Sequence, residues 1–478
     1  MSQEIIKKIN TAVVYQLFFK AGQQIGALVL GVVLARILSP AEFGVIAIAN
    51  MIVFYANNFT NFGLNNALVQ KKDINNHHIN TVFTIDLAVS IALAVVTILA
   101  ADSIAKYFNA QEVAQVLKWM SFYYVITAFY YIPVVILRRN IDYKFISIVE
   151  FIQSLLISVL AIVLALNGYS YWSIVISSLC ITLLAALVFI FKTGWLPKVE
   201  IYRDMTDIYS FGFWVFIRNQ MELLVSKADY FVIGKYLDMS ALGLYEKSFE
   251  LTDRAMTGMT KPLNSVFYSA FCRLNGDLLQ VKSVFLEGTA LLGFICYPAL
   301  FGLIGVAPHF VLSCLGEQWI NMIIPVQILS TACVFRVLFG MIASVNVAIG
   351  KHKAHTLLTT FSAGLFIVLC LFLFIYGIVG VSIAFLVYCV ISFCTSFWLM
   401  HRNININILE LLKALWCPLL GSMLMLLIVL VGRTYVLTDY SSFLQFFCLI
   451  AVGVGVYLSW GYFFYRKGIL HFSIKGIL

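Results

Sequence analysis

IVGVSIAFLVYCVISFCTSFWLM, Ile378 to Met400, runs for 23 positions without a charged side chain. Coiled as a helix rising about 1.5 Å per residue, such a run is roughly 35 Å long, enough to cross about 30 Å of hydrocarbon. It is one of many. Over the 478 residues, 62% are hydrophobic, 11% are charged and the mean hydropathy is +0.96. A soluble domain carries about 25% charged residues, and no soluble interior of this size hides so much apolar surface. The chain therefore reads as an all-α polytopic membrane protein, which excludes soluble enzymes, nucleic-acid binders and secreted disulfide scaffolds. Membrane β-barrels are excluded too, because their strands alternate apolar and polar residues.

Runs of this kind predict fourteen spans, near Thr11–Leu38, Glu42–Leu68, Thr81–Ala101, Val116–Leu137, Ile146–Leu166, Tyr169–Phe191, Tyr209–Tyr236, Ser240–Phe271, Val284–Val306, Asn321–Ile349, Ala354–Tyr376, Ile378–Met400, Leu411–Val431 and Phe443–Phe464. The net charge of +9 sits mainly in the connections. Alternate loops and the two ends hold 19 of the 31 basic residues, among them Lys7, Lys71, Arg138, Arg139, Lys192 and Lys351, whereas the opposite loops and their edges hold five, Arg36, Lys106, Lys118, Lys235 and Arg433. The positive-inside rule then places both termini in the cytoplasm. Met1–Lys8 leads into a segment too long and too polar for a cleaved signal peptide. The 10 cysteines form no CxxC pair, and nine lie in or beside apolar runs as small hydrophobes.

Two passages read alike. Leu34–Val45 (LARILSPAEFGV) joins the first span to the second, and Ile233–Leu244 (IGKYLDMSALGL) joins the seventh to the eighth. Arg36 and Lys235 are 199 positions apart, as are Gly44 and Gly243. A second echo follows the fourth and tenth spans, where Arg139–Phe145 resembles Lys351–Leu357. An even spacing of six spans per repeat predicts two lobes related by an axis along the membrane normal, an arrangement that supports alternating access. The expected organisation is an N-terminal lobe at 1–193, a cytoplasmic linker at 194–207, a C-terminal lobe at 208–402, and two further helices with a cytoplasmic tail at 403–478.

Polar side chains inside the spans mark the candidate site, because charge in hydrocarbon must face a wet cavity or a partner. Asn50, Asn57, Asn61 and Asn65 form one stripe on the second span, and Gln16, Lys20 and Gln23 another on the first. Arg218, Glu222 and Asp229, with Lys227 nearby, share a face of the seventh. Glu246, Glu250, Asp253 and Lys261 line the eighth, beside Lys247 and Arg254, and Arg336 lies within the tenth. Guanidinium and ammonium groups suit phosphate, whereas amides and carboxylates suit sugar hydroxyls. This assigns Arg218, Lys227, Arg254, Arg336 and Lys20 to a pyrophosphate, and Gln23, Asn57, Asn61, Glu222 and Asp229 to sugars or to charge balance. Asp86 and Glu150, each alone in its span, are candidates for ion coupling. Plainer readings compete: asparagine stripes glue helices together, Glu250–Arg254 and Arg218–Glu222 are i, i+4 pairs, and Arg36, Lys235 and Glu42 snorkel at span ends. No phosphate-binding GxxxxGK[ST] loop, HExxH or other metal-ligand constellation occurs, so no cofactor is expected.

The stretch Leu34–Gly44 resembles the opening signature of the polysaccharide transporter family, within the multidrug/oligosaccharidyl-lipid/polysaccharide (MOP) flippase superfamily. Phe62-Gly63-Leu64-Asn65-Asn66-Ala67-Leu68-Val69-Gln70-Lys71-Lys72 resembles the end of that family's second helix, with Asn61 where the acidic residue before Phe-Gly is usual. Leu315-Gly316-Glu317-Gln318-Trp319 and Ile324–Leu329 match a further segment. The likeness extends over nearly the whole chain and is strongest to Wzx-like exporters of the colanic-acid and O-antigen type. It implies a flippase, not an enzyme, that carries undecaprenyl-pyrophosphate-linked oligosaccharide across the bacterial inner membrane for O-antigen, capsule or exopolysaccharide synthesis. It also implies a functional association with glycosyltransferases and a glycan polymerase. Two other readings stand beside it: a MATE-like H⁺- or Na⁺-coupled drug or cation exporter, and a membrane glycan polymerase.

Overall fold

The computed structural model describes residues 3–61, 65, 68–69, 74–202, 227–274, 276–436 and 442–467. Every long element among them is a helix. In chain order these are α1 (Gln3–Ile37), α2 (Pro40–Asn61), α3 (Asn76–Tyr107), α4 (Glu112–Met120), α5 (Phe122–Arg139), α6 (Tyr143–Leu166), α7 (Trp172–Thr193) and α8 (Ala228–Tyr236). They continue with α9 (Met239–Arg273), α10 (Leu278–Phe310), α11 (Ile323–Ala348), α12 (His352–Leu373), α13 (Gly377–Ile404), α14 (Ile408–Val431) and α15 (Ser442–Arg466).

Eleven helical stretches among the described residues are long and apolar enough to span a bilayer. One of them, His352–Ile404, has 53 residues. At about 80 Å it exceeds any bilayer, and its break at Phe374–Tyr376, before Gly377 at φ 66°, separates α12 from α13. The expected seventh span falls largely outside the described residues. The eighth corresponds to α9, whose charges keep it out of the apolar set. The expected fourth span is two helices, α4 and α5, meeting at Ser121, whose hydroxyl donates to Lys118 O at 2.7 Å.

The chain divides into two compact units, Met1–Gly243 and Leu244–Leu478. In the first, α1 packs on α6, α5 packs on α3 and α7, and α4 bridges α2 and α3. The α1–α6 crossing runs along Gly22-Gln23-Gln24-Ile25-Gly26. A Cβ on Gly22 would lie 2.8 Å from the Phe151 ring and one on Gly26 3.8 Å from Leu155. This is the small-xxx-small seam by which membrane helices approach closely. In the second unit α11 and α13 form the central pair, α10 packs on α14, and α14 carries α15. Phe285, Leu292, Tyr297, Met341 and Val345 lie in its core.

Sequence explains the helix starts. Ser39-Pro40-Ala41-Glu42 is a capping box: Ser39 N and Oγ donate to Glu42 Oε2 at 2.6 and 2.8 Å, and Pro40 fills the first helical position. Glu42, expected to snorkel, is thus a cap, and its other oxygen accepts the Ser170 hydroxyl. Asp238 performs the same task 199 positions later, accepting from Ala241 N at 2.6 Å. These two starts touch. A Cβ on Gly44 would lie 1.8 Å from Met239 O, and one on Gly243 1.8 Å from Pro40 O. Pro40 and Met239 are themselves 199 apart, so each copy of the repeated motif lays its glycine on the equivalent backbone carbonyl of the other.

Each unit is also clasped where its helices end in polar chain. In the first, the segment after α7 is strapped to the start of α3. Glu200 takes the His77 ring on one oxygen and the Asn80 amide on the other at 3.0 Å, while Glu200 N and Tyr202 N donate to Thr84 and Thr81 hydroxyls, both at 2.9 Å. In the second, Lys282 at the start of α10 reaches Glu410 Oε2 at 2.7 Å and Asn405 O at 3.1 Å, beyond α13. The Asn80 amide and the His77 ring hold the Glu200 carboxyl below its usual range. A depressed carboxylate contributes above its unfolded value and loses that contribution as pH falls through the folded one. The Glu200 and Tyr202 amides are therefore expected to stay protected from hydrogen exchange at neutral pH and to lose protection in acid, relative to their intrinsic rates. A Glu200→Gln variant should show weaker protection with no such acid step. Equal protection in both proteins would remove the clasp.

Candidate functional site

The first unit gathers amides and carboxylates. Asn57 on α2 is tied to α5: its Oδ1 accepts from Thr127 Oγ1 at 3.0 Å, and Tyr131 hydrogen-bonds to the same side chain. Here the asparagine joins α2 to α5. Asp86 on α3 is buried, 2% exposed, and acts electrostatically on Tyr131, so Asn57, Tyr131 and Asp86 form one polar knot. Asn61 ends α2, and its side chain lies outside the described residues, as do Arg218 and Glu222. Lys227 stands 3.8 Å over the Tyr230 ring, and Asp229, 1% exposed, accepts from Tyr230 N at 3.0 Å and faces Tyr55.

A cavity of about 390 Å³ opens between α1 and α6, lined by Gln23, Glu150, Gln153, Ser154 and Ser158 with apolar neighbours. It brings together two residues singled out separately, Gln23 and Glu150. Lys20, one turn before Gln23, and Arg138 at the end of α5 both act electrostatically on Glu150. Gln153 is held in place by neighbours: its Nε2 donates to Thr182 Oγ1 at 3.2 Å and its Oε1 accepts from Tyr130 at 3.4 Å. The pattern Glu150-x-x-Gln153-Ser154-x-x-x-Ser158 is a polar stripe at helical spacing, in which only Glu150 carries a charge.

The second unit holds the paired charges. Glu250 joins Lys247 at 2.7 Å and Arg254 at 2.5 Å along α9, so the i, i+4 pairing expected of Glu250 and Arg254 forms. Arg336 on α11 binds Asp253 Oδ1 at 2.6 Å between the rings of Phe249 and Phe385, which stand 5.8 and 5.9 Å away. Arg254 and Arg336 are therefore each paired with a carboxylate of α9. A separate groove of about 300 Å³ lies along α9, α10, α14 and α15, and every residue lining it is apolar, including Leu251, Pro298, Leu303, Met425 and Phe446. Among the described residues no group of three His, Cys, Asp or Glu could hold a metal ion.

Against known proteins, a family profile described as "Polysaccharide biosynthesis protein" matches residues 33–324. Lipopolysaccharide biosynthesis protein WzxC of Escherichia coli K12 is 23% identical over 81% of this chain and 80% of its own length. Teichuronic acid biosynthesis protein TuaB of Bacillus subtilis 168 is 21% identical over 75% of each. An uncharacterized membrane protein of the Klebsiella pneumoniae cps region is 22% identical over 89% of each. In fold, the chain resembles the lipid II flippase MurJ in its inward closed conformation, with a TM-score of 0.75 at 17% identity over 95% of this chain and 100% of that one. An inward-facing multidrug-resistance MATE transporter of the MOP superfamily aligns with a TM-score of 0.60 at 16% identity, over 80% and 94%.

Proposed function

The chain belongs to the family of polysaccharide biosynthesis proteins, and from that premise we propose that it is a flippase moving a polyprenyl-diphosphate-linked oligosaccharide across the membrane by alternating access. The observation that carries this reading is the family match over residues 33–324 on a polytopic helical chain. Its polar groups suit both parts of such a headgroup. Lys20, Lys227, Arg254 and Arg336, with Arg218, attract the diphosphate, and Gln23, Asn57, Asn61, Glu222 and Asp229 meet sugars or balance charge. The wholly apolar groove beside α9, α10, α14 and α15 accommodates hydrocarbon such as the prenyl tail. Both termini lie in the cytoplasm of a bacterium, the membrane is the inner one, and the substrate arrives from glycosyltransferases and leaves to a polymerase. With the cell interior negative, outward passage of a dianionic headgroup is favoured by about 4–5 kcal/mol per 100 mV if no protein charge moves with it. Asp86 is the position for coupling to an ion.

The test locates the lipid-linked saccharide after depletion of the protein, by its accessibility to a glycosidase confined outside. Intact repeat units shielded on the inner leaflet are the expected result. Their absence would indicate a biosynthetic enzyme, single units waiting outside a polymerase, and normal surface glycan with altered drug susceptibility an exporter of drugs.

A further inference from the structure

The cavity between α1 and α6 poses a physical problem. Among the described residues, neither Glu150 oxygen lies within ion-pairing distance of a cation, and neither the Glu150 carboxylate nor the Gln23 amide hydrogen-bonds to a neighbour; Lys20 and Arg138 act on the carboxylate only at longer range. Ser154 and Ser158 add two hydroxyls to the same wall. Polar groups on membrane-spanning helices are costly unless water or a ligand satisfies them. The groups are also held in place. The Gly22–Phe151 and Gly26–Leu155 contacts fix the register of the two helices, and Gln153 is pinned by Thr182 and Tyr130.

We propose that this cavity is a saccharide subsite, which receives a hydroxyl-rich ring of the lipid-linked substrate and reads it through Glu150, Gln23, Gln153 and the two serines. The assignment rests on the flippase reading above and names the place where its sugar is recognised. An ionised carboxylate only accepts hydrogen bonds, an amide does both, and a serine hydroxyl does either, which matches the mixed donors and acceptors of a sugar ring. The volume of about 390 Å³ lies within the 300–1,000 Å³ of small-molecule sites. A cationic ligand is disfavoured, since it would meet Lys20 and Arg138 together against one carboxylate. A neutral ring with a phosphate attached on the Lys20 side satisfies both signs.

The test measures binding of purified full-length protein, in nanodiscs, to bare polyprenyl diphosphate and to the same carrier bearing glucose, galactose, N-acetylglucosamine or N-acetylgalactosamine. The wild type is expected to prefer at least one glycosylated carrier by at least about tenfold, the worth of one hydrogen bond to a charged group. Glu150→Leu and Gln23→Leu should each lower that preference without lowering affinity for the bare carrier, which also shows that the variants are folded. A preference that survives both substitutions overturns the subsite, and so does a wild type that binds all five carriers equally. Failure to bind any carrier overturns the flippase reading itself, and the subsite with it.

Discussion

Valine at Gly44 or Gly243 is expected to reduce surface glycan at least about tenfold in a complementation assay, and either substitution should do so to the same degree. The reason is steric and local. The first added carbon would stand 1.8 Å from a backbone carbonyl oxygen, so the starts of α2 and α9 must part by well over an ångström before a methyl fits. No side-chain rotation relieves a clash with backbone. Over-packing of this kind costs about 1–3 kcal/mol and sometimes more, and it falls where the starts of α2 and α9 are in backbone contact. Because either substitution opens the same seam, the double variant should be little worse than the single ones, a departure from additivity expected of groups in contact. Thermal unfolding of the purified variants separates loss of fold from loss of transport. Wild-type glycan with an unchanged midpoint would show that the seam has no role.

The second large effect is expected at Asp253. Removing its carboxylate in Asp253→Ala strands the Arg336 guanidinium between Phe249 and Phe385. Breaking a fully buried pair costs about 3–5 kcal/mol. Here the side chains are 34% and 28% exposed, so about 2–3 kcal/mol is expected. The double variant Asp253→Leu/Arg336→Leu should recover most of that stability, since two apolar residues leave no charge unpaired. If Arg336 also holds the diphosphate, the recovered protein will fold and still fail to export. A double variant as unstable as Asp253→Ala would mean the pair is not the source of the loss.

Much of the fold was legible in the residues. Uncharged runs such as Ile378–Met400 state their own length, and Ser39-Pro40-Ala41-Glu42 writes a helix start in local chemistry. The 199-residue echo also disclosed which glycines are equivalent, although their mutual contact required the structure. The candidate site was less readable, because a stripe shows which face of a helix is polar and not what stands opposite. Nothing near Asn57 indicates that Thr127 and Tyr131 receive it, and nothing near Gln23 indicates Glu150. Those placements depend on the register between helices, which close contacts such as Gly22 on Phe151 set for α1 and α6. The Glu250–Arg254 pair could be read because both partners lie on one helix, four residues apart. His77 and Glu200, 123 positions apart, carried no such signal.

The reciprocal glycine seam also sets a clock on biogenesis. Its two halves are separated by 199 residues of chain, and translation proceeds at about 5–20 residues per second. The start of α2 therefore waits roughly 10–40 seconds in the membrane before its counterpart has been synthesised. During that interval a backbone surface shaped for one close partner is open to others. A nascent chain arrested before Ile233 should accordingly be more sensitive to membrane proteases and quality control than one arrested after Leu244.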